Sequence, residues 1–257
     1  MHAKGQTDDI QEEHFFSARF LKRLCAGIAV LAVLTAALSF AGRELGDRIA
    51  LAGHTEEHTL LNILIGEDHL RLPANAVRFQ DQRQTGRTDR LDVYLTWPEM
   101  EGYTSENRDR FNDVGRPENL IFLQFSQSTM SRDMSGRVEP IYSHLFEGAS
   151  QSGPAGLTMR HLKEGSGYAD ESLLTGTMPD GSIFAVRCIL PTRGQPSTSA
   201  DCQRDIHTGD DLSLLFRFSS RLLPQWQEME TAVRTYARQH LVNVAPPTPM
   251  PDKNTPE

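Results

Sequence analysis

From Leu24 to Gly42 the chain reads LCAGIAVLAVLTAALSFAG, a run with no charged residue in which Thr35 and Ser39 alone are polar. At about 1.5 Å per residue a helix of this length nearly crosses a hydrocarbon core of roughly 30 Å. FFSARF, just upstream, extends it to the membrane surface. Arg19, Lys22 and Arg23 precede the run, whereas Arg43 and Arg48 downstream are mixed with Glu44 and Asp47. The positive-inside rule therefore places the N-terminus in the cytoplasm and exports the rest. A cleaved signal peptide is the rival, because Ser39-Phe40-Ala41 and Ala50-Leu51-Ala52 both end in small residues. Against it, the leading region is long and carries Asp8, Asp9, Glu12 and Glu13, and the apolar run exceeds the usual signal core of roughly 7–15 residues.

A retained anchor sets the organisation expected of the 257 residues. Residues 1–20 form a cytoplasmic stub, 21–43 the transmembrane helix, 44–58 a juxtamembrane linker, 59–243 one periplasmic domain and 244–257 a Pro-rich tail too polar to fold. This is the layout of a single-pass bacterial inner-membrane protein. Setting aside the four acids and four bases before residue 43, the exported part keeps 30 acidic and 22 basic residues. Such a balance repels phosphate backbones, so nucleic acid is excluded as a partner.

Topology also decides the chemistry of the cysteines. Cys25 lies at the membrane segment, and Cys188 and Cys202 lie in the exported part. In an oxidising compartment an even pair reads as a disulfide; in the cytosol the same pair is two free thiols. The bland alternative is that Cys188, alternating with Phe184, Val186 and Leu190, is a small buried hydrophobe.

The exported part reads as α+β, a mostly antiparallel sheet followed by a C-terminal amphipathic helix. TLLNILIG (59–66) is an apolar strand, followed by a short extended piece and a turn at Pro73. RLDVYLTWP (90–98) sets Leu91, Val93, Leu95 and Trp97 against Asp92, Tyr94 and Thr96, the alternation of a half-buried strand stopped by proline. NLIFLQFS (119–126) is apolar on both faces and predicts a central strand. GRVEPIYSHLF (136–146) predicts a short helix interrupted at Pro140, and the Gly/Ser-rich 148–156 a loop. LTMRHLK (157–163) predicts a strand, and residues 172–191 a hairpin about Pro179-Asp180-Gly181. DLSLLFRFSS (211–220) aligns Leu212, Leu214, Phe216 and Phe218. A helix opened by Pro224 then carries Trp226, Met229, Val233 and Ala237 as its apolar stripe, with Glu230 and Arg234 paired at i,i+4.

The loudest chemical signal is His54, Glu57 and His58, in the H-x-x-E-H order of the inverted zinc peptidases. In that motif a helix aligns two histidines on zinc while the glutamate activates water. Here the segment follows Gly53 and runs straight into a strand, so the expected reading is a polar linker holding two histidines and no metal. No nucleophile elbow, P-loop, dinucleotide fingerprint or C-x-x-C is present, and no cofactor is expected. Ser126, Ser128 and Ser131 with His144 or His161 make only a nominal nucleophile and base. The acids and histidines of GEDH (66–69) and DIHTGDD (205–211) are expected in solvated turns. EMEGYT (99–104) is expected to expose Glu99, Glu101 and Tyr103 as an acidic, aromatic edge suited to an Arg-bearing partner.

LRLPANAVRF, RLDVYLTWPEMEGYT and LLFRFSSRLLPQW resemble segments of uncharacterised single-span, membrane-anchored proteins of alphaproteobacteria. The resemblance covers most of the exported domain. It implies an anchor and an envelope location but no activity or site residues. The function expected is a non-catalytic module that binds or inhibits an envelope protein. The alternative is a membrane-anchored periplasmic hydrolase, zinc-dependent through the H-x-x-E-H stretch.

Overall fold

The computed structural model describes residues 18–51, 53–168, 170–192 and 194–242. Apart from residues 18–20, the expected stub lies outside the described residues, as does the tail over 244–257. The chain divides into two units, before and after Gly53.

The first unit is helix α1, Ala18–Leu51, 34 residues long. Among the described residues it is the one helix long and apolar enough to cross a membrane, and its segment Lys22–Ser39 is exposed throughout. The Thr35 hydroxyl donates to the Leu31 carbonyl at 2.9 Å, so this polar side chain is satisfied within the helix. The helix continues through 44–51, where a linker is expected.

The second unit is α+β. Strands β1 (Leu60–Ile65), β2 (Asp68–Pro73) and β3 (Gly86–Arg87) form a small sheet in the order β2-β1-β3, antiparallel in the first pair and parallel in the second. The main sheet has eight strands: β4 (Arg90–Thr96), β5 (Leu120–Gln127), β6 (Phe146–Ser152), β7 (Thr158–Leu162), β8 (Ser172–Thr177), β9 (Ile183–Cys188), β10 (Cys202–Thr208) and β11 (Leu212–Phe218). Their order is β4-β5-β11-β10-β9-β8-β7-β6, antiparallel throughout. Helix α2 (Arg108–Asn112) is a single turn, and α3 (Trp226–His240) closes the unit.

Alternation along the strands decides what the sheet buries. Leu91, Val93 and Leu95 of β4, Ile121, Leu123 and Phe125 of β5, and Leu212, Leu214, Phe216 and Phe218 of β11 all enter one core. There they meet β1 and β2 and the stripe Trp226, Met229, Val233 and Ala237 of α3. On β8 and β9 the opposite face is covered too: Leu173 and Ala185 join Met134, Tyr142 and Leu162 in a second, smaller cluster.

Two local expectations need correction. The helix expected over 136–146 is two 3-10 turns, Ser135–Arg137 and Tyr142–Leu145, separated by Pro140, which supplies no N–H to continue a ladder. The loop expected over 148–156 is largely β6, an edge strand whose register shifts between Glu147 and Gln151 and whose residues from Glu147 onward are all exposed. β5 is an interior strand, paired with β4 and β11 as expected, although past Leu120 only the Ile121, Leu123 and Phe125 face is buried. Its other face is half-exposed, and the Arg78 guanidinium lies 4.9 Å from the ring centre of Phe122.

A candidate binding groove

The segment after Gly53 belongs to the folded unit. Residues 54–59 are neither helix nor strand. The His54 ring stacks on Tyr103 at 4.5 Å between centroids and its Nδ1 lies 2.8 Å from the Tyr94 hydroxyl, while Phe111 meets all three rings edge-on. Burial lowers the pKa of His54, and nearby Arg83 adds to the effect against a raising hydrogen bond with Asn112. Burial pushes the Tyr94 phenol up to about 12. His58 is exposed, its Nε2 3.4 Å from the Asn75 amide nitrogen, and Glu57 is exposed with its carbonyl accepting from the Asn75 N–H at 2.8 Å. The helical frame of the H-x-x-E-H motif is therefore not formed, and among the described residues no three His, Cys, Asp or Glu side chains are placed to hold a metal.

The turn after β4 is built by close backbone approach. Thr96 N–H bonds Glu101 carbonyl, and Tyr103 N–H bonds Asn75 carbonyl at 3.0 Å, laying 101–104 against the 3-10 turn Ala74–Ala76. A Cβ on Gly102 would lie 2.9 Å from backbone atoms of Asn75 and Ala76, so only glycine permits that approach. Glu99 and Glu101 are exposed, as expected. Tyr103 is not: it is 1% exposed, because His54 covers it from a segment that no local pattern connects to it. The Glu99 carboxylate accepts from Arg110 at 2.8 Å. Burial works against its ionisation, but a backbone hydrogen bond and the Arg110 guanidinium outweigh it and lower its pKa.

Between this strap and α3 lies a groove of about 980 Å³. Asn75, Ala76, Leu95 and Tyr236 form its buried floor, with half-buried Met100, Met178 and Ala232 beside them. Glu99 and Glu101 edge one wall; Gln227, Glu228, Thr231 and Gln239 of α3 edge the other. Two buried polar atoms of the floor have no hydrogen-bond partner: Asn75 Oδ1 and the Tyr236 hydroxyl. Burial alone raises the pKa of that phenol.

The remaining sequence candidates resolve differently. Cys188 and Cys202 form a disulfide, directly opposed in the register of β9 and β10. Ser128 pairs with His207 at 3.1 Å, and His161 with Ser172 at 2.9 Å, so the serines and histidines named from sequence do not pair with one another. Neither imidazole bonds a carboxylate among the described residues. Asp68, expected in a solvated turn, is fully buried and accepts the N–H groups of Asp210 and Asp211. Sequence reasoning missed Asn75 and Tyr236; an asparagine in an apolar stretch and a tyrosine beside the helix stripe were the available signals.

No protein-family model and no curated protein matches this chain. Among solved structures, it is similar to Smlt3025, an immunity protein of the Stenotrophomonas maltophilia type IV secretion system, with 17% identity over 74% of this chain and 96% of that one, at a TM-score of 0.46. It is also similar to the Neisseria meningitidis iron-regulated outer membrane lipoprotein FrpD, with 11% identity over 73% of this chain and 94% of that one, at a TM-score of 0.43.

Proposed function

We propose that this chain is a single-pass inner-membrane protein whose periplasmic domain is a non-catalytic module that binds, and by occupying its target inhibits, an envelope protein. The groove between the 99–104 strap and α3 carries the reading: an open, largely apolar cleft with an exposed acidic edge is the form of a recognition surface. The apolar helix and its basic upstream flank support the anchor and its orientation. The Cys188–Cys202 bond supports export, since such bonds persist in oxidising compartments.

The test is photocrosslinking in intact cells with a benzophenone residue at Thr231 on the groove edge, and at Ser150 on the exposed β6 strand as control. A discrete envelope protein captured from Thr231 but not Ser150 is expected. Protease added to spheroplasts should also digest the domain. Protection of the domain, or the same capture from both sites, sinks the proposal.

A further inference from the structure

Several acceptors of the groove are left uncommitted. Asn75, 3% exposed, spends its amide nitrogen on the Tyr103 carbonyl at 2.9 Å and on His58, and leaves Oδ1 without a partner. His240 Nδ1 lies 2.8 Å from the Tyr236 carbonyl; a carbonyl only accepts, so Nδ1 donates there and Nε2 is the ring atom left over. Glu101 and Glu228 are exposed on opposite walls, and neither forms an ion pair among the described residues. The Tyr236 hydroxyl, on a residue 6% exposed and likewise without a partner, can donate as well as accept, as can the side-chain amides of Gln227 and Gln239 at the rim. A buried polar atom left unpaired destabilises a free protein, and it is tolerated where something else completes it.

The dimensions point to a chain as the occupant. The α3 stripe lining the groove runs from Gln227 to His240. At about 1.5 Å per residue it is about 20 Å long, the reach of about six residues of extended polypeptide.

We propose that the groove holds an extended segment of the partner protein in which an arginine side chain lies between Glu101 and Glu228. Its apolar neighbours rest on Met100, Met178 and Ala232, and a main-chain N–H completes Asn75 Oδ1. Arginine fits better than lysine because its planar fork offers five donors to several separated acceptors. The inference rests on the binding-module reading and specifies the chemistry of the ligand.

The experiment uses the full chain in detergent micelles and short fluorescent peptides of one apolar, extended sequence bearing a central arginine, citrulline or glutamate. Anisotropy should show the arginine peptide binding about tenfold more tightly than the citrulline one, the size of a charge-assisted hydrogen bond, and the glutamate peptide weakest. Glu101→Gln with Glu228→Gln, both exposed positions, should abolish the preference. Tyr236→Phe should weaken every peptide while leaving the free protein as stable or more so, which a merely structural tyrosine would not do. Equal binding of arginine and citrulline peptides, binding of none, or a dimer of this chain broken by the same glutamine changes would overturn the proposal. Capture from Thr231 in cells that survives the glutamine changes would sink this ligand chemistry and leave the binding module standing; no capture at all would sink both.

Discussion

Arg204 on β10 and Glu230 on α3 meet as a bidentate pair, Nε to Oε2 and Nη2 to Oε1 both at 2.8 Å, with their side chains 1% and 3% exposed. The remaining Arg204 nitrogen donates to the Ala185 carbonyl at 2.7 Å and to Ser135 at 2.8 Å, and the Phe184 ring lies under the guanidinium. The pair thus ties the groove-lining helix to the sheet. Glu230→Leu strands a buried guanidinium and should destabilise the domain by about 3–5 kcal/mol in urea unfolding, while Arg204→Met with Glu230→Leu should lose less than the sum of the single changes. Burial opposes ionisation of Glu230, but Arg204 and then Arg234 outweigh it and lower its pKa. The resulting stability is present above the unfolded value of about 4.3 and lost as pH falls through the folded value, so the acid limb of unfolding should flatten in Glu230→Leu.

The Cys188–Cys202 bond closes a loop of sequence separation 14. In the loop-entropy model this limits the unfolded chain by about 3 kcal/mol. Cys188→Ala with Cys202→Ala should lower urea stability by about that amount, yet the domain should stay folded. The loop has other ties: Asp201 accepts from Thr198 N–H at 2.8 Å and from the Ser220 hydroxyl at 2.7 Å, and its carbonyl accepts from Ile189 N–H at 2.8 Å. Thiol labelling in denaturant without reductant should modify Cys25 alone, the free cysteine. Labelling of all three would refute the bond.

Strands β4 and β11 and helix α3 were readable because their apolar residues repeat at two or at three to four positions within one short window. β6 was not. Its residues after Phe146 are small or polar and exposed on both faces, so edge pairing with β7 leaves no alternation to see. Asp68 read as a solvated turn residue because Asp210, whose N–H permits its burial, is 142 positions away, and nothing local marks Arg204 as buried, its partner Glu230 being 26 positions away. The exposure of Glu99 and Glu101 followed from Pro98 ending a strand, whereas the floor beneath them is assembled from segments near residues 75, 95 and 236. A groove made by several separate pieces of chain leaves no mark in any one of them.

Asp68 joins the small sheet to the β10–β11 turn and dictates the residue opposite. Its carboxylate accepts Asp210 N–H at 2.9 Å and Asp211 N–H at 2.7 Å, while Gly209 stands at φ +64° with an added Cβ only 2.3 Å from Asp68 Oδ1. Gly209→Ala combines a left-handed backbone with that clash and should destabilise by more than the roughly 1 kcal/mol of the backbone effect alone. Because all three nearest atoms belong to Asp68, Gly209→Ala in an Asp68→Ala background should retain only the backbone effect. Equal losses in both backgrounds, measured by urea unfolding, would show that the carboxylate does not set the limit.

His54, the first residue of the folded unit, is held among Tyr94, Tyr103 and Phe111, with Asn112 and Arg83 as its other polar neighbours. Burial is the main cause of its lowered pKa, and the Arg83 charge acts the same way. The unfolded chain, with a histidine near 6.5, therefore binds a proton before the folded one does. Stability is complete above that value and falls as pH drops from about 6.5 toward the lowered folded value, a window separate from the acid limb of Glu230. His54→Phe keeps an aromatic ring against Tyr103 but removes the proton site, so its unfolding midpoint should change less than the wild-type midpoint between about pH 7 and 5.5. A titration of the His54 ring by NMR should give a midpoint below 6.5. A midpoint at or above that value, or equal slopes in the two proteins, would mean that the stack does not favour the neutral ring.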